Sequence, residues 1–129
     1  MENKRRFKGN LNQDHGITLL RFDYQNGKYI LIRTTTHAKQ RYEERGINLD
    51  SVCGAIVALG KETIYKASEQ GEDIAILDKK SRQTLAIILT FEVSGNEIQA
   101  RIRTLIKKEF VYIKENTHVY KLENYQGGF

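Results

Sequence analysis

The chain has 129 residues, 40% of them hydrophobic and 29% charged, with no proline, one cysteine and a formal net charge of +5. This is the size of one domain that buries a core without staples, and the lone Cys53 excludes an intrachain disulfide. No apolar run approaches the roughly 20 residues that span a bilayer, and no apolar stretch follows the charged start Met1-Glu2-Asn3-Lys4-Arg5-Arg6 as it would in a secretory signal. A cytoplasmic protein without membrane attachment is expected. The positive charge favours phosphate polyanions as partners.

Residues 1–15 read as a basic arm. Gly16 to Phe22 and Lys28 to Arg33 are apolar-rich runs around Asn26-Gly27, a pair that readily takes the positive φ angles of a tight turn, so a β-hairpin is expected. Thr34-Thr35-Thr36 then offers a hydroxyl cap for a helix from His37 to Arg45, which Gly46 ends. Asn48 caps a second helix, Leu49 to Leu59, with Ile47 and Val52 at the two positions of a hydrophobic staple. Val52, Ala55, Ile56 and Leu59 form its apolar stripe. Beyond Gly60 the reading is all strand: Thr63 to Ala67, Asp73 to Asp78, Thr84 to Phe91 and Ile98 to Ile106, joined by short turns. Such connections join antiparallel neighbours. Residues 107–129 are read as a last strand and tail. The expected fold is one α+β domain, two short helices on one antiparallel meander preceded by a hairpin.

Two groups of side chains point to chemistry. With about 100° per residue, His37, Arg41 and Glu44 share one helical flank, with Arg45 nearby. Cleavage of RNA through the ribose 2′-hydroxyl needs a proton acceptor, a proton donor and cationic stabilisation of the phosphorane, and this stripe has those types. The plainer reading is that His37 bonds a strand backbone while Arg41 and Glu44 form an ion pair. On the strand Gln99 to Thr104, alternation puts Arg101 and Arg103 on one face, with Ala100, Ile102 and Thr104 on the other. Arg101 and Arg103, with Lys107 and Lys108 just beyond, are a candidate phosphate surface, rimmed by Lys79, Lys80 and Arg82 from a turn; its plainer reading is a solvated sheet face. Three histidines and one cysteine without ligand spacing argue against a metal site. No glycine-rich phosphate loop or dinucleotide fingerprint occurs, so no cofactor is expected.

The segment His37-Ala38-Lys39-Gln40-Arg41 through Glu44-Arg45-Gly46-Ile47, followed by Asp50-Ser51-Val52, resembles a family of uncharacterised bacterial and phage domains with a His-Ala-x-x-Arg-x-x-x-Arg-Gly-Ile-like helix. The order of helices then strands is similar in topology to the RelE/ParE group of small ribonuclease-fold toxins. The resemblance implies a metal-independent, RNA-cleaving or ribosome-associated toxin-like domain, with RNA or an antitoxin as partner. A non-catalytic regulatory module binding nucleic acid or an acidic protein is the alternative. So is an inhibitor of a host enzyme with no chemistry of its own.

Overall fold

Asn26 and Gly27 sit at φ 60° and 76° and turn the chain between β1 (Ile17–Asp23) and β2 (Tyr29–Thr34), which pair antiparallel. The positive angles give the turn the twist of its flanking strands, the reason this dipeptide closes hairpins. The computed structural model describes residues 16–80 and 82–122; the basic arm 1–15, with His15, and the tail beyond 122 lie outside the described residues.

Helix α1 (Thr36–Glu44) begins where the Thr35 hydroxyl accepts from Ala38 N at 3.0 Å. It ends in a double reverse bond: Gly46 N donates to Glu43 O and Ile47 N to Tyr42 O, both at 3.0 Å. Gly46 supplies the left-handed turn, φ 76°, that this ending requires. Asn48 then accepts from Asp50 N and Ser51 N to open α2 (Leu49–Leu59), with the bounds expected from sequence. Its stripe holds: Val52, Ala55 and Ile56 are fully buried, and Ile47 and Val52 are both in the core.

The expectation of strands throughout the region after Gly60 is wrong. Lys61–Gln70 is a third helix, α3, in place of the strand expected over Thr63 to Ala67. The β-branched and aromatic residues there favour strand only as a weak prior. What wins is the spacing of the buried positions Ile64, Ala67 and Ser68, three and four apart, with Glu62 and Lys66 paired one turn apart at 3.2 Å.

Strands β3 (Ile74–Lys80), β4 (Gln83–Ser94) and β5 (Glu97–Lys108) do form an antiparallel meander. The sheet as a whole is nevertheless mixed, which corrects the purely antiparallel architecture. Its order is β1-β2-β5-β4-β3-β6, where β6 is His118–Lys121. β2 pairs parallel with β5, and β6 parallel with β3. The short-connection rule governs only strands adjacent in sequence; the hairpin and the last strand reach the meander's two sides through longer chain paths.

The three helices cover one face of the sheet, onto which Ile30, Ile32, Ile76, Ile87, Leu89 and Ile98 are buried. The other face is open over β1, β2 and part of β5. Over β3 and β4 it is crossed by residues 109–117, which bring the chain back from the end of β5 to β6. Ile88 lies on this second face, facing the crossover, and is therefore only half-buried, as is Leu59 at the end of α2.

Candidate nucleic-acid interface

The pairing of β4 with β5 shifts by one position: Leu89 faces Ile102, but Ile88 faces Thr104. Arg103 is the extra residue, a β-bulge, and bulges re-aim side chains. The consequence is local and specific. Thr104, expected beside Ile102, lies on the arginine side, and Leu105 takes the core position instead. Arg101 and Arg103 do share the open face, as expected.

That face is charge-balanced. Arg103 Nη1 donates to Asp73 Oδ2 at 2.8 Å, and Arg101 Nε lies 3.8 Å from Glu92 and 3.4 Å from Gln99 Oε1. Arg21 pairs with Asp23 at 3.4 Å and stacks 4.1 Å over the Tyr29 ring, while Tyr29 and Gln99 both donate to Glu97. Arg33, beside Arg101 in the register, donates to Thr18 Oγ1 at 2.6 Å. Each arginine here stands in a network of carboxylates and hydroxyls, so the field over the face is weak.

The remaining basic residues gather elsewhere. Pairing of β2 with β5 ends at Arg101, and from there β5 runs on to Lys108 with the turn between α1 and α2 alongside. The result is a groove of about 610 Å³ lined by Arg45, Ile47, Gln83, Thr104, Leu105, Ile106, Lys107 and Lys108. The β3–β4 hairpin lies at the same end of the sheet, because Thr84 pairs with Lys108 on one side and Lys79 on the other, and its Gln83 lines the groove. Lys79 and Lys80 belong to β3 rather than to a loose turn, and Arg82 lies at the hairpin's tip. So Arg45, Lys79, Lys80 and Arg82, singled out from sequence, come together at one end of the sheet, with Lys107 and Lys108 joining them. Arg101 and Arg103 do not belong to this group. Lys107 and Lys108 were visible in the sequence as a pair following the strand, but nothing there placed Arg45 beside them.

Among the described residues, Arg45, Lys79, Arg82 and Lys108 have no carboxylate partner. The acids nearest in sequence are Glu44 beside Arg45, Asp78 beside Lys79 and Glu109 beside Lys108. Asp78 is 3% exposed, with Lys80 Nζ 3.8 Å from its carboxylate. Burial pushes its carboxyl above the ordinary range, and the nearby Lys80 pulls the other way.

His37, Arg41, Glu44 and Arg45 are all exposed on one flank of α1. Arg41 and Glu44 form no ion pair; on this helix Lys39 pairs with Glu43, at 3.1 Å. The flank runs from His37, at the helix start, to Arg45 in the groove, about 12 Å along the axis at roughly 1.5 Å per residue. Among the described residues no three of His, Cys, Asp and Glu stand together as a metal site would require, and no helix is long and apolar enough to cross a membrane.

No family model, curated protein or solved structure matches the chain. The residues themselves have to carry the functional reading.

Proposed function

We propose that this domain binds RNA through its phosphate backbone at the basic end of the sheet. The observation that carries the reading is the groove itself, where Arg45 from the α1–α2 turn and Lys107 and Lys108 from β5 face one concavity, with Lys79 and Arg82 on the adjoining hairpin. Clustered cations on rigid elements hold phosphates without paying for loop ordering, and they release counterions when they do so. Arg101 and Arg103, each held by a carboxylate, contribute less.

The test is fluorescence anisotropy of a labelled RNA oligomer across a salt series. Affinity is expected to fall steeply with salt. Arg45→Ala with Lys108→Ala should reduce the slope of log affinity against log salt by about 1.4, two single-strand phosphate contacts' worth, whereas Arg101→Ala with Arg103→Ala should change it less. No binding to any RNA or DNA at low salt overturns the reading and favours an acidic protein partner.

A second reading makes the same surface catalytic, and the exposed flank leading from the groove to His37 favours it. His37 would take the proton of a ribose 2′-hydroxyl as its oxygen attacks phosphorus. The bond to the 5′-oxygen breaks, and that oxygen takes a proton from the imidazolium, with Arg41 balancing the phosphorane charge. Histidine suits this because its ordinary pKa is nearest neutrality. In a cleavage time course with chelator present, His37→Ala should slow the reaction about 100-fold or more with affinity unchanged. Equal rates in variant and wild type exclude it.

A further inference from the structure

The basic groove does not end at Lys108. A second concavity of about 500 Å³ adjoins it, and both share Thr104 and Ile106 in their walls. Ile88 and Ile113 form an apolar floor, Arg103 reaches in from the bulge, and Tyr112 stands at the rim. The crossover 109–117 forms the far wall.

That crossover carries an arrangement the fold alone does not require. Its side chains alternate: Val111 and Ile113 turn partly inward, while Phe110 and Tyr112 are 71% and 91% exposed. A single exposed ring is unremarkable on any protein surface. Here two stand on the crossover just beyond Lys107, Lys108 and Glu109: Tyr112 lines the concavity, and Phe110, two residues before it, is exposed alongside. Neither stacks on another ring among the described residues; the ring pair there is Tyr24 with Tyr65, at the far end of the sheet. Their faces are open to a planar ligand.

We propose that groove and concavity form one continuous track for single-stranded RNA, with phosphates on Arg45 and Lys108 and unpaired bases stacked on Phe110 and Tyr112. The inference rests on the RNA-binding reading above and adds its substrate class. Cationic grooves interleaved with aromatic platforms suit single strands, because every base offers a π-face once it leaves the duplex. In a duplex the bases are stacked on one another and their faces cannot reach the rings. Stacking of this kind changes affinity by about 5- to 150-fold per base.

The chain has no tryptophan, so Tyr112→Trp places a single indole reporter on the platform without disturbing the core. It is titrated with a single-stranded RNA of about ten nucleotides, a duplex of the same sequence, and an abasic ribose-phosphate oligomer of equal length. The single strand should quench the indole, and the duplex and abasic oligomers should not. Phe110→Ala and Tyr112→Ala should each weaken single-strand binding about 5-fold or more and leave abasic binding unchanged. An unquenched indole in the saturated single-strand complex, or equal affinity for the ordinary and abasic oligomers, overturns the stacking track while the basic groove stands. Failure of all three oligomers to bind overturns both.

Discussion

Arg103 donates from Nη1 to Asp73 Oδ2 at 2.8 Å, tying the bulge of β5 to the residue just before β3. Thr90, on β4 between them, donates to the other carboxylate oxygen at 3.2 Å. Asp73 thus joins three neighbouring strands at one point of the open face.

Arg103 is 64% exposed and Asp73 33%, and screening leaves ion pairs so open to solvent little net energy. Urea denaturation of Arg103→Ala, Asp73→Asn and the double variant should give a coupling of about 0–1 kcal/mol. A larger value would mean that the Asp73 junction acts as a buried network and holds the bulge in place.

The third helix is held by what it buries. Ile64 is fully enclosed, so Ile64→Ala should lower unfolding free energy by about 2–5 kcal/mol. Val57, with much of its surface exposed on α2, is the control; Val57→Ala should cost under about 1 kcal/mol. Equal effects at the two positions would contradict the packing of α3 on the sheet.

Asp78 gives stability a pH dependence of unusual sign for a carboxylate. Its folded pKa lies above the ordinary 3.8 because burial penalises the charge, with Lys80 opposing. In the window between the unfolded and folded values the folded state binds more protons, so this group makes stability rise as pH falls. Asp78→Asn stays neutral throughout. The wild type should therefore gain on the variant when urea midpoints are compared from about pH 7 down to about pH 4. A gap that stays constant over that range would rule out the burial effect.

Cys53 is enclosed beside the first turn of α2, and burial, with Asp50 adding to it, pushes its thiol up to about 11. Against an ordinary value of 9.0, thiolate at mildly alkaline pH is about 100-fold scarcer. Reaction with a disulfide reagent should be slow in the native protein and fast in urea. Rapid reaction in the native state would show that the packing around α2 opens readily.

Local signals were legible in the sequence where one residue type does one job. Asn26-Gly27 announced the hairpin, Thr34-Thr35-Thr36 and Asn48 the helix starts, and Gly46 the end of α1. Helix α3 was hidden because its start, Gly60, has no side chain to cap with, while Thr63-Ile64-Tyr65 imitates a strand. The Glu62–Lys66 spacing was the signal available. The parallel pairings were hidden for a different reason: nothing near Ile30 says that Ile98 will lie beside it. The site followed the same division. The flank of α1 could be drawn from helical geometry, but the bulge at Arg103 reversed the face of Thr104, and the meeting of Arg45 with Lys108 depends on tertiary packing.

The place of β2 between β1 and β5 sets a timetable for synthesis. Thr34 leaves the ribosome about sixty residues before Glu97, several seconds earlier at roughly 5–20 residues per second. Through that interval the hairpin has an unmatched strand edge carrying Ile30, Leu31 and Ile32, the kind of edge that recruits other chains. Such distant pairing also slows the search for the native arrangement. A nascent chain stalled before Glu97 would present this edge with its intended neighbour not yet made. Yield from translation should therefore depend on how quickly the second half of the message is read.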